Sequence, residues 1–361
     1  MHFYPLFKDI FFLIYILKVM KEKIFNFSLL FFCILSIINK AQFATIIEVT
    51  TVEELHKALA KAKAGQIISI APGIYDFTTY ERSTKFCGTA DGSEYSPIIL
   101  RASDPNDPPI LKGSNLNNNY VLHITGDYWI IENLKISFSQ KGIVLDNSNY
   151  SILRNLEVYS TGAEAIAIRD GSSHCLIQNC YIHNTGLITP AYGEGIYIGS
   201  SESTTGYNYK CDNNIVQGCV FRDISAEHID IKEFTSGQEV FGCIFYGDGM
   251  TGENYAGSFI DIAGNDCYIH DNVGYRNKNN KIVAAFEVHR IVEGWGDGHK
   301  FINNVVFMDR PYGEVDTNRR MYVVDGWDLK FSVKNNKVDY GEGLTDANSW
   351  EFFNSDLVTY L

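Results

Sequence analysis

The sequence predicts an all-β fold, a single-stranded parallel β-helix closed at one end by a capping helix, on three observations. A short apolar strand recurs eight times, at residues 121–124, 143–146, 165–168, 195–198, 228–231, 259–262, 285–288 and 322–325. After each strand and a turn comes a small or polar residue set in an apolar stretch: Asn133, Asn155, Cys180, Cys219, Cys243, Asn272, Asn304 and Asn336. The interval between units starts at 22 residues and stretches into the thirties where loops are inserted. A fixed unit with variable insertions, each too small to bury its own apolar face, is a solenoid. Its period-two strands make it a β-solenoid rather than a helical array.

Two apolar stretches, 10–17 and 25–38, precede the repeat. The second follows Met20, Lys21, Glu22 and Lys23 and ends near Ala41 and Ala44, the order of a secretory signal with translation starting at Met20. Each stretch is short for a membrane span of about 20 residues. The expected organisation is therefore a targeting segment over 1–41 and one β-helix over 45–355, secreted, monomeric and without a stable membrane partner. Removing 1–41 leaves 25 basic and 41 acidic side chains. That balance excludes a nucleic-acid partner, which demands a basic stripe. Seven cysteines remain; those in the repeating row read as small apolar fillers, and nothing selects a disulfide pairing. Asn149-Tyr150-Ser151 is a glycosylation sequon.

At the start of the repeat, Thr51-Val52-Glu53-Glu54 fits a capping box, with Thr51 at the N-cap and Glu54 three residues on. Val52, Leu55, Ala58, Leu59 and Ala62 then recur at helical spacing until Gly65. A short amphipathic helix there would shield the open end of the solenoid core. The Asn and Cys row reads as an inward ladder, since an Asn amide can bond the coils on either side of it.

The helix is followed by GQIISIAPGIYDF (65–77) and SPIILRASDPNDPPILKGS (96–114). This opening resembles that of the secreted right-handed β-helix polysaccharide lyases of the pectin-lyase-like superfamily, the alginate lyase and chondroitin lyase group. The resemblance implies a right-handed coil, an acidic polysaccharide substrate and a site on the outer face of the repeated strands.

On each repeated strand the residue between two apolar neighbours points outward. The column so predicted is His123, Leu145, Ala167, Tyr197, Asp230, Asp261, Glu287 and Val324. Three consecutive members are carboxylates on strands about 4.8 Å apart. Two bare charges at that distance repel by about 3 kcal/mol at an effective dielectric near 20, so a cation, a shared proton or a neighbouring base must offset them. Two residues further on, Arg169, Lys232 and His289 fall in a parallel outer row, while Glu164, Glu194 and Glu227 recur three residues before the column.

Oxygen-rich groups suit Ca²⁺, so Asp230, Asp261 and Glu287 are the expected metal ligands. In β-elimination from a uronic-acid polymer, a cation neutralises the sugar carboxylate and a base removes the neighbouring proton. Lys232 is the expected base, with His289 or Arg290 holding the carboxylate or protonating the leaving oxygen. Glu194, Tyr197, Glu227, Arg169 and Trp295 are expected to line the substrate groove. A glycoside hydrolase using Asp230 and Glu287, an epimerase on the same polymer, and a non-catalytic glycan-binding surface protein are the competing readings.

Overall fold

The structure, a computed structural model, describes residues 44–79, 85–309, 320–326 and 329–347. The proposed targeting segment and the end of the chain lie outside these residues. Among the described residues no helix is long and apolar enough to cross a membrane.

Strands of three to six residues, separated by tight bends, stack coil upon coil into three sheets of 11, 9 and 11 strands. Successive strands within a sheet are parallel, except for the last pair, Lys337–Asp339 with Leu344–Asp346, which is antiparallel. The chain is thus the predicted parallel β-helix. The nine-stranded sheet carries the repeated outward column. Its strands are β1 (Phe86–Gly88), β2 (Tyr120–Ile124), β3 (Lys141–Asp146), β4 (Ile166–Arg169), β5 (Ile196–Ile198), β6 (Ile229–Ile231), β7 (Ile260–Ile262), β8 (Ala284–His289) and β9 (Arg320–Asp325). Ile196 and Ile198, Ile229 and Ile231, and Ile260 and Ile262 point into the core and are buried without remainder. Because side chains alternate with period two, the residue between each pair faces outward.

Helix α1 (Val52–Ala60) caps the first coil. The Thr51 hydroxyl accepts from the Glu54 backbone N–H at 3.2 Å. The reciprocal arm differs from a standard capping box: Glu54 accepts from the N–H and hydroxyl of Thr50, at 2.8 and 2.9 Å, rather than from Thr51. Leu55 and Leu59 are buried, and His56 packs on Phe86 of β1 with ring centroids 4.7 Å apart, closing the apolar interior.

The inward ladder is real but begins differently from the sequence expectation. Cys180, Cys219, Cys243, Asn272, Asn304 and Asn336 are buried in register, whereas Leu134 and Leu156 occupy the equivalent places in the earlier coils. Asn133 and Asn155 sit one residue earlier, at the bend, with φ of 57° and 53°. The same left-handed bend recurs at Asn179, Gly218, Gly242, Asp271, Asn303 and Asn335. Asn, Asp and Gly tolerate this region where other side chains clash, which is why they recur there. Inside, the amides bond one another: Asn272 Nδ2 donates to Asn304 Oδ1 at 3.0 Å, and Asn304 Nδ2 to Asn336 Oδ1 at 3.0 Å. All seven cysteines among the described residues are free thiols, six of them buried.

The register also corrects two members of the outward column. Val144 rather than Leu145 pairs with His123 and Ala167, and Val323 rather than Val324 pairs with Glu287. Leu145 and Val324 point into the core.

Candidate functional site

The strand pairings place Tyr197, Asp230, Asp261 and Glu287 side by side on β5 to β8. The next outward row carries Lys232 after β6, and His289 on β8 opposite Asp325 on β9. Although they project from the outer face, Asp230 and Glu287 are only 4% and 1% exposed. Each lies against a base from the next row. Lys232 Nζ is 2.7 Å from Asp230 Oδ2, and its ammonium lies over the Tyr197 ring, 5.3 Å from the centroid. His289 Nε2 is 3.3 Å from Asp261 Oδ1 and 3.8 Å from Glu287 Oε2, while Nδ1 faces Asp325 at 3.9 Å.

A second acidic row enters from the preceding bend. Glu164, Glu194 and Glu227 precede β4, β5 and β6, and all three are buried. Glu164 pairs with Lys141. Glu194, Glu227 and Asp230 converge, each offering an oxygen within 4.8 Å of the other two. The closest carboxylate trio therefore shares only Asp230 with the set expected from sequence; Asp261 and Glu287 instead share His289. Glu194 Oε2 and Glu287 Oε1 are buried without a hydrogen-bond donor, and Asp261 Oδ1 is buried against His289.

Such crowding changes where these groups titrate. Burial, reinforced by Glu164 and Asp230, pushes Glu194 up to about 8. Burial raises Asp230 to about 6 against the pull of Lys232. Glu227 is raised well above the carboxylate range by burial and by its acidic neighbours, and Asp261 is raised by burial despite His289. Burial lowers the proton affinity of Lys232 and His289, but neighbouring carboxylates overcome it: Asp230 leads for Lys232 and Asp261 for His289. Both bases are cations at neutral pH. Glu194 brings a buried oxygen without a donor to an all-oxygen trio, a set that suits a hard divalent cation such as Ca²⁺.

The remaining expected residues fall around this centre. Arg169 forks onto Asp146, Nε to Oδ1 at 3.0 Å and Nη2 to Oδ2 at 2.9 Å, near the N-terminal end of the same face. Arg290 Nε donates to the Trp295 carbonyl at 3.3 Å, so it anchors the turn beyond β8. Trp295 is half-buried and packs edge-on against Phe234 at 5.6 Å. Asn149 donates Nδ2 to Asp127 and accepts from the Ser173 N–H, and Ser151 is fully buried; a glycan on Asn149 would break this turn stack. His123, first in the outward column, bridges Lys85 and Asp146 at 2.9 Å to each. Those partners lie 38 and 23 residues away, so only the coil repeat could have signalled them.

With this geometry in hand, comparison with known proteins gives concordant findings. The description of the Pel9A-like right-handed β-helix region matches residues 39–348. The chain is similar to the solved alginate lyase from Paenibacillus sp. str. FPU-7, at 39% identity and TM-score 0.76, over 81% of this chain and 95% of that one. Its fold is similar to that of pectate lyase Pel9A, at 15% identity and TM-score 0.58, over 83% and 82% of the two chains. It is likewise similar to that of a rhamnogalacturonan lyase, at 16% identity and TM-score 0.54, over 79% and 82%. The curated proteins give no match.

Proposed function

The chain belongs to the Pel9A-like right-handed β-helix family, and from that premise we propose that it is a secreted polysaccharide lyase cleaving a uronic-acid polymer by β-elimination on the outer face of β5 to β8. The observation that carries the proposal is the Lys232 ammonium, held by Asp230 over Tyr197, in a stack of buried carboxylates. The similarity to a 39% identical alginate lyase supports it.

Elimination removes the proton beside the sugar carboxylate, forms a carbon–carbon double bond and expels the C4 oxygen, which takes up a proton. Lys232 is the proposed proton-accepting group. Its ion pair with Asp230 keeps it protonated, so it becomes a base only when that negative charge is cancelled. The proton it gives up then passes to solvent, since carboxylates that hold a cation cannot also hold a proton. Glu194, Glu227 and Asp230 would hold a Ca²⁺ ion, which supplies charge neutralisation for these carboxylates and for the substrate's own. His289, kept protonated by Asp261, Glu287 and Asp325, is positioned to protonate the leaving oxygen. Tyr197 and Trp295 offer flat faces to the sugar rings. A hydrolase with Asp230 and Glu287 as acid and base fits less well, because Lys232 occupies the former and the latter is 1% exposed.

The test is incubation of the purified protein with alginate, pectate, glucuronan and glycosaminoglycans, following the ultraviolet absorbance of the new conjugated double bond. Absorbance should rise with one uronate polymer and fall with a chelator. New reducing ends without absorbance would indicate hydrolysis. No reaction with any of the polymers would leave the binding reading.

A further inference from the structure

The bend leading into a strand of the nine-stranded sheet is six residues long before β4, 160–165, and six before β6, 223–228. Before β5 it takes twelve residues, 184–195, and before β7 thirteen, 247–259, so two insertions flank one tight bend. Their 3₁₀ turns, Pro190–Tyr192 and Glu253–Tyr255, meet beside that bend. Both insertions are tied down. Ser225, in the tight bend, donates its hydroxyl to the Pro190 carbonyl at 3.0 Å. Its own carbonyl accepts from the Thr251 N–H and hydroxyl at 2.9 and 3.1 Å. On the preceding coil, the Gly162 carbonyl accepts from the N–H groups of Ile188 and Thr189 at 3.1 and 2.9 Å.

These tethered loops present apolar side chains to solvent. Leu187, Ile188, Tyr192 and Tyr255 are 50%, 47%, 57% and 68% exposed. Asn254 and Tyr255 are consecutive left-handed residues, with φ of 53° and 65°. A bulky side chain is disfavoured there, and such outliers cluster at active sites and ligand clamps. Core packing does not impose this one, since the ring it projects is mostly exposed. The patch also adjoins the acidic stack. Only Gly193 separates Tyr192 from Glu194, and a Cβ at Gly257, two residues after Tyr255, would lie 3.4 Å from Glu287 Oε1. Tyr197 is five residues from Tyr192, at most about 17 Å of extended chain. None of the four exposed side chains carries a charge. What they can recognise in an acidic polymer is the C–H face of a pyranose ring, not its carboxylate.

We propose that Tyr192 and Tyr255, flanked by Leu187 and Ile188, form a sugar-stacking platform that holds a pyranose ring of the bound polymer beside the acidic stack. The identity of that polymer as a polyuronide rests on the lyase reading; the platform for a sugar ring does not. Continuity with the stack favours a glycan here over a second copy of the chain. Because backbone hydrogen bonds already fix both loops, little ordering is lost on binding. The contact is apolar, so salt screens it little, in contrast to contacts made by the carboxylates below. The stack thus reads the charge of the substrate and the platform reads its ring.

The test is Tyr192→Ala in the full chain, with urea unfolding to confirm stability, assayed on the polyuronide that the wild type cleaves. KM should rise about tenfold while kcat stays within about twofold, the signature of lost ground-state binding, and the rise should persist at high salt. Tyr192→Phe should keep the wild-type KM, because the ring and not the hydroxyl makes the contact. A wild-type KM in both Tyr192→Ala and the double variant with Tyr255→Ala would overturn the platform. So would a wild-type dimer that either variant converts to a monomer on a sizing column, since a second copy would then cover the patch. If the wild type cleaves nothing, the lyase reading fails by itself, and the platform is judged in alginate and pectate gels. It stands if those gels retard the wild type and not Tyr192→Ala, and falls if the two migrate alike.

Discussion

Two ladders of polar side chains run along this stack at the same interval, one inside and one outside. Inside, Asn272 and Asn304 each donate forward to the next amide and back to a carbonyl of the preceding coil, Asn336 donates back to the Phe301 carbonyl, and all three accept from the preceding coil. Outside, Asp230, Asp261 and Glu287 repeat on three strands, and Glu287 keeps a buried oxygen without a donor. An amide has donors and acceptors in equal number, so stacked copies satisfy one another. A carboxylate only accepts, and stacked copies repel. The inner ladder therefore stabilises the coil unaided. The outer one demands protons, bases or a cation, the demand expected of a site that does chemistry.

Lys232→Ala should break the outer ladder functionally with the largest effect of any single change. Turnover is expected to fall by about 10²–10⁴, the usual contribution of a positioned proton-transfer group, while stability changes little because Asp230 can take a proton instead. Steady-state rates beside urea unfolding would check both halves, and wild-type activity in this variant would transfer the base role to His289 or Arg290.

Glu194→Gln sharpens the contrast through pH. Glu194 titrates at about 8 in the folded chain, above its ordinary value of 4.5. Its contribution to stability is complete below that ordinary value and is lost as pH rises through about 8. Glu194→Gln should therefore be more stable than the wild type at alkaline pH, by at most roughly 5 kcal/mol, and its stability should depend less on pH. Added Ca²⁺ should raise the wild-type Tm at pH 8 and move the variant less. Parallel pH profiles for the two proteins would remove Glu194 from the acidic stack as an energetic partner.

Asn304→Ala is the counterpart on the inside. It removes the donor to Ile269 O and Asn336 Oδ1 and the acceptor for the Asn272 backbone N–H and Nδ2, at an expected cost of about 3 kcal/mol in urea unfolding. Activity per folded molecule should stay near the wild-type value, in contrast to Lys232→Ala. Smallest is Cys219→Ala, which trims a buried sulfur whose hydrogen bonds are long; about 1 kcal/mol is expected, with turnover unaffected.

Much of this architecture is legible in the sequence because period-two strands mark their own outward residue wherever a polar side chain interrupts the apolar ones. Asp230, Asp261 and Glu287 were readable for that reason. Residues 143–145 and 322–324 are apolar throughout, which hides the phase and explains why Leu145 and Val324 stand in the expectation where Val144 and Val323 stand in the fold. Asn133 and Asn155 illustrate a second ambiguity: Asn suits both an interior ladder and a left-handed bend, and only backbone geometry separates the two. The convergence of Glu194 and Glu227 on Asp230 depends on how the bend before each strand turns, which no periodicity encodes.

The thiols lying within the stack have a practical consequence. Cys175, Cys180, Cys211, Cys219, Cys243 and Cys267 are buried at intervals along the coils, and burial pushes Cys175, Cys211 and Cys267 up to about 12. A thiol reagent can modify them only when the surrounding coil opens, so the rate at which each one is labelled reports the breathing of its own segment. The chain thus carries a native set of probes, spaced from one loop insertion to the next, with which peptide mapping could tell whether the coils part together or one at a time.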